Sequence, residues 1–382
     1  MRVYLDHNAT TPVADEAVAA MERSLREGFG NPSSTHAEGA RTKMDLDRAR
    51  ARVASLLSCE AGEVVFTACA TESNNTALIG VLERRPGPPG HVVTSNVEHP
   101  SVEAPLDVLE ARGWRVTRLP VDADGLLDPA GVEAALEPDT AMVSLIWANN
   151  ETGVLLPVEA IAERVRPRGV LVHVDATQCV GKLPIDLASS AIDLLALSAH
   201  KFNGPKGVGA LVVRGGIGFA PLLHGGGQER GRRGGTENLT GIVGLGVACE
   251  VAERDLSARA ERAARLRDRL WRGVETKIPG VRRNGAEASI LPNTLNLEFQ
   301  GAAGEVLLQA LDLEGISVSM GAACSSGSVE PSRVLVAMGR SPEQARGSLR
   351  FSVGLGNDEP QIDRVLAVLP DLVARAREAV GA

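Results

Sequence analysis

Ser198-Ala199-His200-Lys201-Phe202-Asn203-Gly204-Pro205-Lys206-Gly207 follows directly on the apolar run from Ala191 to Leu197. The pattern is a buried strand that ends in a polar, Gly/Pro-bearing loop. The lysine in it is unusual for this chain. Only Lys43, Lys182, Lys201, Lys206 and Lys277 are lysines among 40 basic residues, so arginine supplies nearly all positive charge. Arginine cannot replace lysine where a neutral amine must attack a carbonyl, because only lysine loses its proton readily when desolvated. The bland alternative is a lysine in a turn, and the rest of the chain decides between the two.

At 382 residues the chain is long enough for a large core and two domains. A hydrophobic fraction of 44% and a charged fraction of 23% are ordinary for a globular enzyme. A net charge of −8 with 3% aromatics speaks against direct nucleic-acid binding. No apolar stretch approaches the roughly 18 residues of a membrane helix. The start, Met1-Arg-Val-Tyr-Leu-Asp-His-Asn, carries no apolar signal segment, so the expectation is a cytoplasmic protein without a membrane partner. The cysteines are Cys59, Cys69, Cys179, Cys249 and Cys324, and none lies two or three residues from another. That spacing suits no zinc or iron–sulfur site, and no metal is expected.

Outward from Lys201, strand and helix patterns alternate from about residue 13 to 250. Short β-rich runs cover Glu63–Thr67, His91–Ser95, Arg115–Leu119, Ala141–Ile146, Val170–Val174, Asp193–Leu197 and Val208–Val213. Helical patterns cover Asp15–Arg26, Gly39–Leu57, Glu72–Arg84, Ser101–Arg112 and Val158–Val165. The alternation predicts an α/β fold with a mostly parallel seven-stranded sheet, helices on both faces. A long Ala/Arg/Leu helix, about Thr240 to Val274, leads into a smaller α+β domain. There the pattern gives strands at Thr294–Phe299 and Ser348–Val353 and helices at Glu305–Leu313 and Pro360–Ala379. The expected division is 15–256 for the large domain, with 1–14 and 257–382 forming the small one.

In such sheets ligands sit outside the carboxyl ends of the strands. Three loops there suit one cofactor, pyridoxal phosphate (PLP). Thr67-Ala-Cys-Ala-Thr71-Glu72-Ser73 leaves a strand and opens a helix, whose free N–H groups suit a phosphate. Asp175, just past Val172-His-Val, can pair with a protonated ring nitrogen and keep the ring an electron sink, and Gln178 can donate to its phenolic oxygen. Lys201 supplies the amine for an imine, with Ser198 and His200 as further phosphate donors. His99, in Glu98-His-Pro-Ser101, can stack on the ring and move protons. A helix cap or a core histidine is the plain alternative for each part alone; the joint order is far more specific.

The Gly/Arg segment Gly225 to Asn238 reads as a phosphate- or carboxylate-binding loop. Ser319-Met-Gly-Ala-Ala-Cys324-Ser-Ser-Gly-Ser328 is made almost wholly of small residues and reads as an exposed, mobile loop carrying a thiol. Cys59, Cys179 and Cys249 fall in helical patterns and read as core. Arg350, inside Ser348-Leu-Arg-Phe-Ser352, needs a partner, and its fork suits a substrate carboxylate.

Together these residues resemble the cysteine desulfurases of the NifS/IscS type, in the class V aminotransferase family of fold type I PLP enzymes. The resemblance runs through Tyr4-Leu-Asp-His-Asn-Ala-Thr-Thr-Pro12, Ala70-Thr-Glu-Ser73, Asn149-Asn-Glu-Thr-Gly153, Asp175-Ala-Thr-Gln178, Ser198-Ala-His-Lys201, Arg233-Gly-Gly-Thr-Glu-Asn238, Ala323-Cys-Ser-Ser-Gly-Ser328 and Leu349-Arg-Phe-Ser352. It implies that Lys201 carries the imine, Asp175 holds the ring nitrogen, Gln178 the phenolic oxygen, and His99 the ring face. Ala70, Thr71, Ser198 and His200 would bind the phosphate. Thr236 would reach the phosphate of a partner subunit in a homodimer. Asn150 would contact ring or substrate, Arg350 the substrate carboxylate, and Cys324 would accept sulfur from L-cysteine as a persulfide. Lys201 or His99 would take the α-proton. A sulfur-acceptor protein, such as an iron–sulfur scaffold, is the implied partner. One departure stands out: the family usually has glycine where this chain has Cys69, and a positive φ there would strain a cysteine. The competing readings are a selenocysteine lyase, an aminotransferase of the same fold, or a non-catalytic sulfur-carrier scaffold.

Overall fold

The expected apolar runs become strands, nearly residue for residue. The computed structural model describes residues 2–321 and 330–381. Its strands are β1 (Val3–Tyr4), β2 (Val64–Thr67), β3 (His91–Ser95), β4 (Arg115–Leu119), β5 (Thr140–Ile146), β6 (Leu171–Asp175), β7 (Leu194–Ser198), β8 (Gly209–Val213), β9 (Val281–Arg283), β10 (Thr294–Phe299), β11 (Ile316–Ser317) and β12 (Ser348–Ser352). The large sheet has seven strands in the order β2-β8-β7-β6-β5-β3-β4. β8 pairs antiparallel with both β2 and β7, and every other pairing is parallel. β2 therefore points the same way as β7, and six strands end at one edge of the sheet.

Interior strands such as β3, β5 and β7 are buried along their whole length, which is why they read as unbroken apolar runs. The edge strand β4 differs. Its Arg115 is exposed, and Arg118 pairs with Glu103, Asp107 and Glu110. Charge along an edge discourages further strand pairing.

Two apolar cores cover the two faces of this sheet. A third lies between the sheet β12-β10-β9 and the helices Gly304–Leu313 and Glu359–Gly381, with Phe299 and Phe351 at its centre. The helix Leu239–Lys277 joins them. Its first part buries Leu245, Val247 and Val251, and its last turns bury Leu266, Leu270 and Val274 in the third core.

Three features were not expected from sequence. The helical run opening at Ala70 carries a wider π turn at Thr76–Gly80 before continuing to Arg84. The helices Pro129–Ala134, Arg333–Ala337 and Pro342–Arg346 and the short strands β1, β9 and β11 are also additional. Finally, β1 pairs with β11, and the chain after it crosses from the third core to the large sheet. There Thr11 N donates to His200 O at 2.9 Å, and Ala14 N to Asn203 O at 2.9 Å.

Candidate functional site

Five strand ends at one edge deliver most of the side chains singled out in the sequence, although Arg350, on β12, does not line the same cavity. A cavity of about 220 Å³ is lined by Ala70 and Thr71 after β2, His99 after β3, Asn150 after β5, Asp175 and Gln178 from β6, and Ser198, His200 and Lys201 from β7. Thr177, Ser101, Ile146 and Cys69 complete the wall.

Lys201 closes the single 3₁₀ turn that follows β7. Its Nζ donates to the carbonyls of Asn8 and Ala9 at 2.7 and 2.9 Å. Burial holds its amine down to about 8; Arg350 pushes the same way, and Asp175 and Asp6 partly oppose. An amine so placed is readily neutral, as attack on a carbonyl requires.

Asp175 is 3% exposed at the tip of β6. Its Oδ1 accepts from Thr177 N at 3.0 Å and its Oδ2 from Asn74 Nδ2 at 2.8 Å. Asn74 Nδ2 also donates to Ser101 Oγ at 2.8 Å. Both Asn74 hydrogens are then spent, and the Ser101 hydroxyl keeps its own hydrogen for His99 Nδ1, 2.8 Å away. Ser101 N donates to the same nitrogen at 3.1 Å. His99 Nδ1 is thus an acceptor, which leaves the ring hydrogen on Nε2. Burial pushes this imidazole below its ordinary pKa, so it is neutral at neutral pH.

Other groups in the lining suit an anion. Cys69 stands before the helical run from Ala70 and makes no side-chain cap, so the first N–H groups are left for a ligand. Ser198 Oγ and Thr177 Oγ1 are buried without a partner. His200 Nδ1 meets Thr10 Oγ1 at 3.1 Å, and burial holds the ring down to about 4, so it is neutral. Cys69 has φ −175, an extended backbone open to any residue, so no strain attends the change from glycine. Gly209 is the residue that must stay small here. A Cβ on it would lie 2.6 Å from Leu197 O and 2.9 Å from the Cys69 backbone.

Arg350 is 3% exposed. Its Nη1 donates to Asn150 O at 2.8 Å and its Nη2 to Asp6 Oδ1 at 2.7 Å, while Nε is buried without a partner. In the Gly/Arg loop, Arg233 Nε donates to Glu72 Oε1 at 3.0 Å, so its carboxylate partner lies within the chain. Thr236 is exposed and does not line the cavity. Cys324 lies outside the described residues. Cys179 and Cys249 are buried as expected, whereas Cys59 is only half-buried against the core.

Sequence reasoning did not single out Asn8, Asp6, Asn74, Ser101, Thr177 or Lys182. Asn8 is the hub of the site: its carbonyl takes Lys201 and Gln178, and its side chain takes Asn293 and reaches Thr294. Its one signal was its place in the motif Tyr4 to Pro12.

The donor set fits PLP: an amine near neutrality, a carboxylate for the ring nitrogen, and an uncapped helix start beside orphaned hydroxyls for the phosphate. Among the described residues, no cluster of His, Cys, Asp or Glu suits a metal, and no helix is long and apolar enough to cross a membrane.

The class-V aminotransferase family model matches residues 3–365. A cysteine desulfurase of Trichormus azollae is 47% identical over 98% of this chain and 94% of its own length. The cysteine desulfurase IscS of Dictyoglomus turgidum is 43% identical over 98% and 95%. Among solved structures, a NifS-like protein superposes with TM-score 0.92 at 38% identity, covering 98% of this chain and all of that one. A structure of SspA in complex with cysteine superposes with TM-score 0.83 at 35% identity over 93% and 99%. The chain belongs to the class-V aminotransferase family and, within it, to the PLP-dependent cysteine desulfurases.

Proposed function

We propose that this chain converts L-cysteine to L-alanine and takes the sulfur onto Cys324 as a persulfide. The observation that carries the site reading is Lys201: a half-buried amine held down to about 8, in one cavity with Asp175 and the orphaned Ser198 hydroxyl. PLP, when bound, supplies an electron sink for the carbon that bears the substrate amino group.

In this reading Asp175 pairs with the ring nitrogen, Gln178 donates to the phenolic oxygen, and His99 covers the ring. Ala70 and Thr71 N–H groups, with Ser198 and His200, hold the phosphate. Arg350, assisted by Asn150, takes the substrate carboxylate. Lys201 removes the α-proton, because His99 already carries its hydrogen on Nε2 and faces the cavity as a donor. The substrate Cβ–S bond breaks and an S–S bond forms to Cys324. The electron pair of the broken bond stays on the substrate carbon, which takes up a proton as alanine forms. Support for Cys324 comes from the chain around it. Ser319 and Arg350 exchange backbone hydrogen bonds, and Ser332 Oγ donates to Glu151 Oε2 at 2.5 Å. Gly321 and Glu330 border a cavity that also holds His99, Asn150 and Glu151.

The same reading makes the protein a cytoplasmic homodimer in which Thr236 reaches the phosphate of the second site. Its division is 15–256 against 1–14 with 257–382. A sulfur-acceptor protein, such as an iron–sulfur scaffold, takes the persulfide onward. The test is alanine formation from cysteine by the full chain. Cys324→Ala is expected to bind PLP and form no alanine, and Lys201→Ala to lose both the lysine-bound colour and turnover. Full turnover by Cys324→Ala contradicts the persulfide step, and alanine formed from pyruvate with another amino acid as donor, but not from cysteine, points to an aminotransferase instead.

A further inference from the structure

A second half-buried lysine stands one layer behind the cavity. Lys182 Nζ donates to Gln178 Oε1 at 2.7 Å and lies 3.5 Å from Asn8 Oδ1. Gln178 lines the cavity and Lys182 does not. Lys182 borders instead a small space of about 90 Å³ with His7, Phe202 and Asn293. The pairing is local in origin. Val180 N donates to Ala176 O and Lys182 N to Cys179 O, and with Gly181 at φ 73 these successive turns bring residue 182 back beside residue 178.

An amide can sit in two orientations related by a flip, and its neighbours decide between them. Asn8 O, 3.0 Å from Gln178 Nε2, can only accept. Lys182 offers hydrogens on the other side. Asn8 O requires Nε2 on its side, and Lys182 supplies the matching donor to Oε1 on the other. Nε2 carries two hydrogens, and one of them goes to Asn8 O.

We propose that Lys182 is a positioning residue that anchors Gln178 Oε1 and so keeps the second Nε2 hydrogen for the cofactor's phenolic oxygen. The inference rests on the assignment of this cavity to PLP. Burial holds the Lys182 amine down to about 7, with Lys201 adding to the push. Charged or neutral, the amine still donates, so the anchor survives across that range. Without it, Gln178 gains rotamer freedom and the cavity loses a directed donor.

The experiment titrates cofactor-free full-length protein with PLP and follows the visible band. It compares wild type, Lys182→Met, Lys182→Gln, Gln178→Leu and the double variant Gln178→Leu/Lys182→Met. Lys182→Met is expected to weaken PLP binding about tenfold and shift the band. Lys182→Gln keeps a donor and is expected to stay within about threefold of wild type. With Gln178 gone, Lys182→Met is expected to change affinity less than about twofold. A purely structural lysine would cost as much in either background. Additive losses, a Lys182→Met protein that binds like wild type, or a Lys182→Gln loss as large as that of methionine each overturn the proposal. Peptide mapping of the reduced wild-type protein separates the two levels. Cofactor trapped on Lys201 with an additive cycle overturns this inference alone; cofactor trapped elsewhere, or not taken up, overturns the site reading and the inference with it.

Discussion

Lys201 and Lys182 share a short list of neighbours, yet only one faces the cavity. The economy of lysine in this sequence marked Lys201, because an amine retained at a strand end has a chemical reason. It did not mark Lys182, whose meaning depends on Asn8, 174 residues away. Asn74 was hidden for the same reason: it meets Asp175 across 101 residues. The Lys201 environment has a measurable consequence. Its amine is protonated below about 8 and cannot attack an aldehyde there. The rate of PLP uptake by the cofactor-free protein, followed by stopped-flow absorbance, is expected to rise with pH and level off above about 8. An ordinary lysine would keep rising to about 10.4. Arg350 helps hold the amine down, so Arg350→Leu is expected to move the midpoint up. Asp6 opposes it, so Asp6→Asn is expected to move the midpoint down.

Strands were the most legible elements, since a run buried on both faces must be apolar throughout and ends where polar residues begin. Caps and turns were less so. The π turn at Thr76–Gly80 follows from packing rather than from local propensity: a Cβ on Gly80 would stand 2.5 Å from Ala220 O. The Gly/Arg loop was the hardest to read. Glu229 and Arg230 adopt φ of 48 and 61, left-handed values that cost energy in residues with side chains. Their conformation is held from the helix Ala37–Leu57, where both Arg50 Nη atoms donate to Glu229 at 2.8 and 2.6 Å. Phe66 N adds a bond to the same carboxylate at 2.9 Å. Arg50→Ala would leave this buried carboxylate without its ion-pair partner. Urea unfolding is expected to report a loss of about 3 kcal/mol. A loss under about 1 kcal/mol, the range of a surface pair, would contradict the anchoring role.

At the scale of the molecule, one helix and one extended segment connect the cores, and the extended segment brings the carbonyls of Asn8 and Ala9 to Lys201. The α/β class and the sheet were legible because alternation of strands and helices leaves few topologies. The crossing of residues 5–14 was not, since its hydrogen bonds join Asn8 to Thr294 and Ser352 across the whole sequence. Burial also sets the acid stability. His7, His173 and His200 are each held down to about 4. The unfolded chain binds protons at these three sites from about pH 6.5 downward while the folded chain does not, so stability falls as pH drops from 6.5 toward 4.5. Glu98, pushed up to about 8 by burial, acts in the opposite direction, as do Glu151 and Asp193, whose carboxyls burial also raises, while His91 and His99, both lowered by burial, add to the histidine side. Thermal melts are expected to show a falling Tm across that window, and a rising one would contradict the neutral, buried assignment. The most direct measurement treats the PLP-loaded protein with borohydride and maps the peptides by mass spectrometry. The reduced cofactor is expected on the peptide holding Lys201; cofactor on Lys182, on Lys206 or on no lysine would contradict the assignment of Lys201.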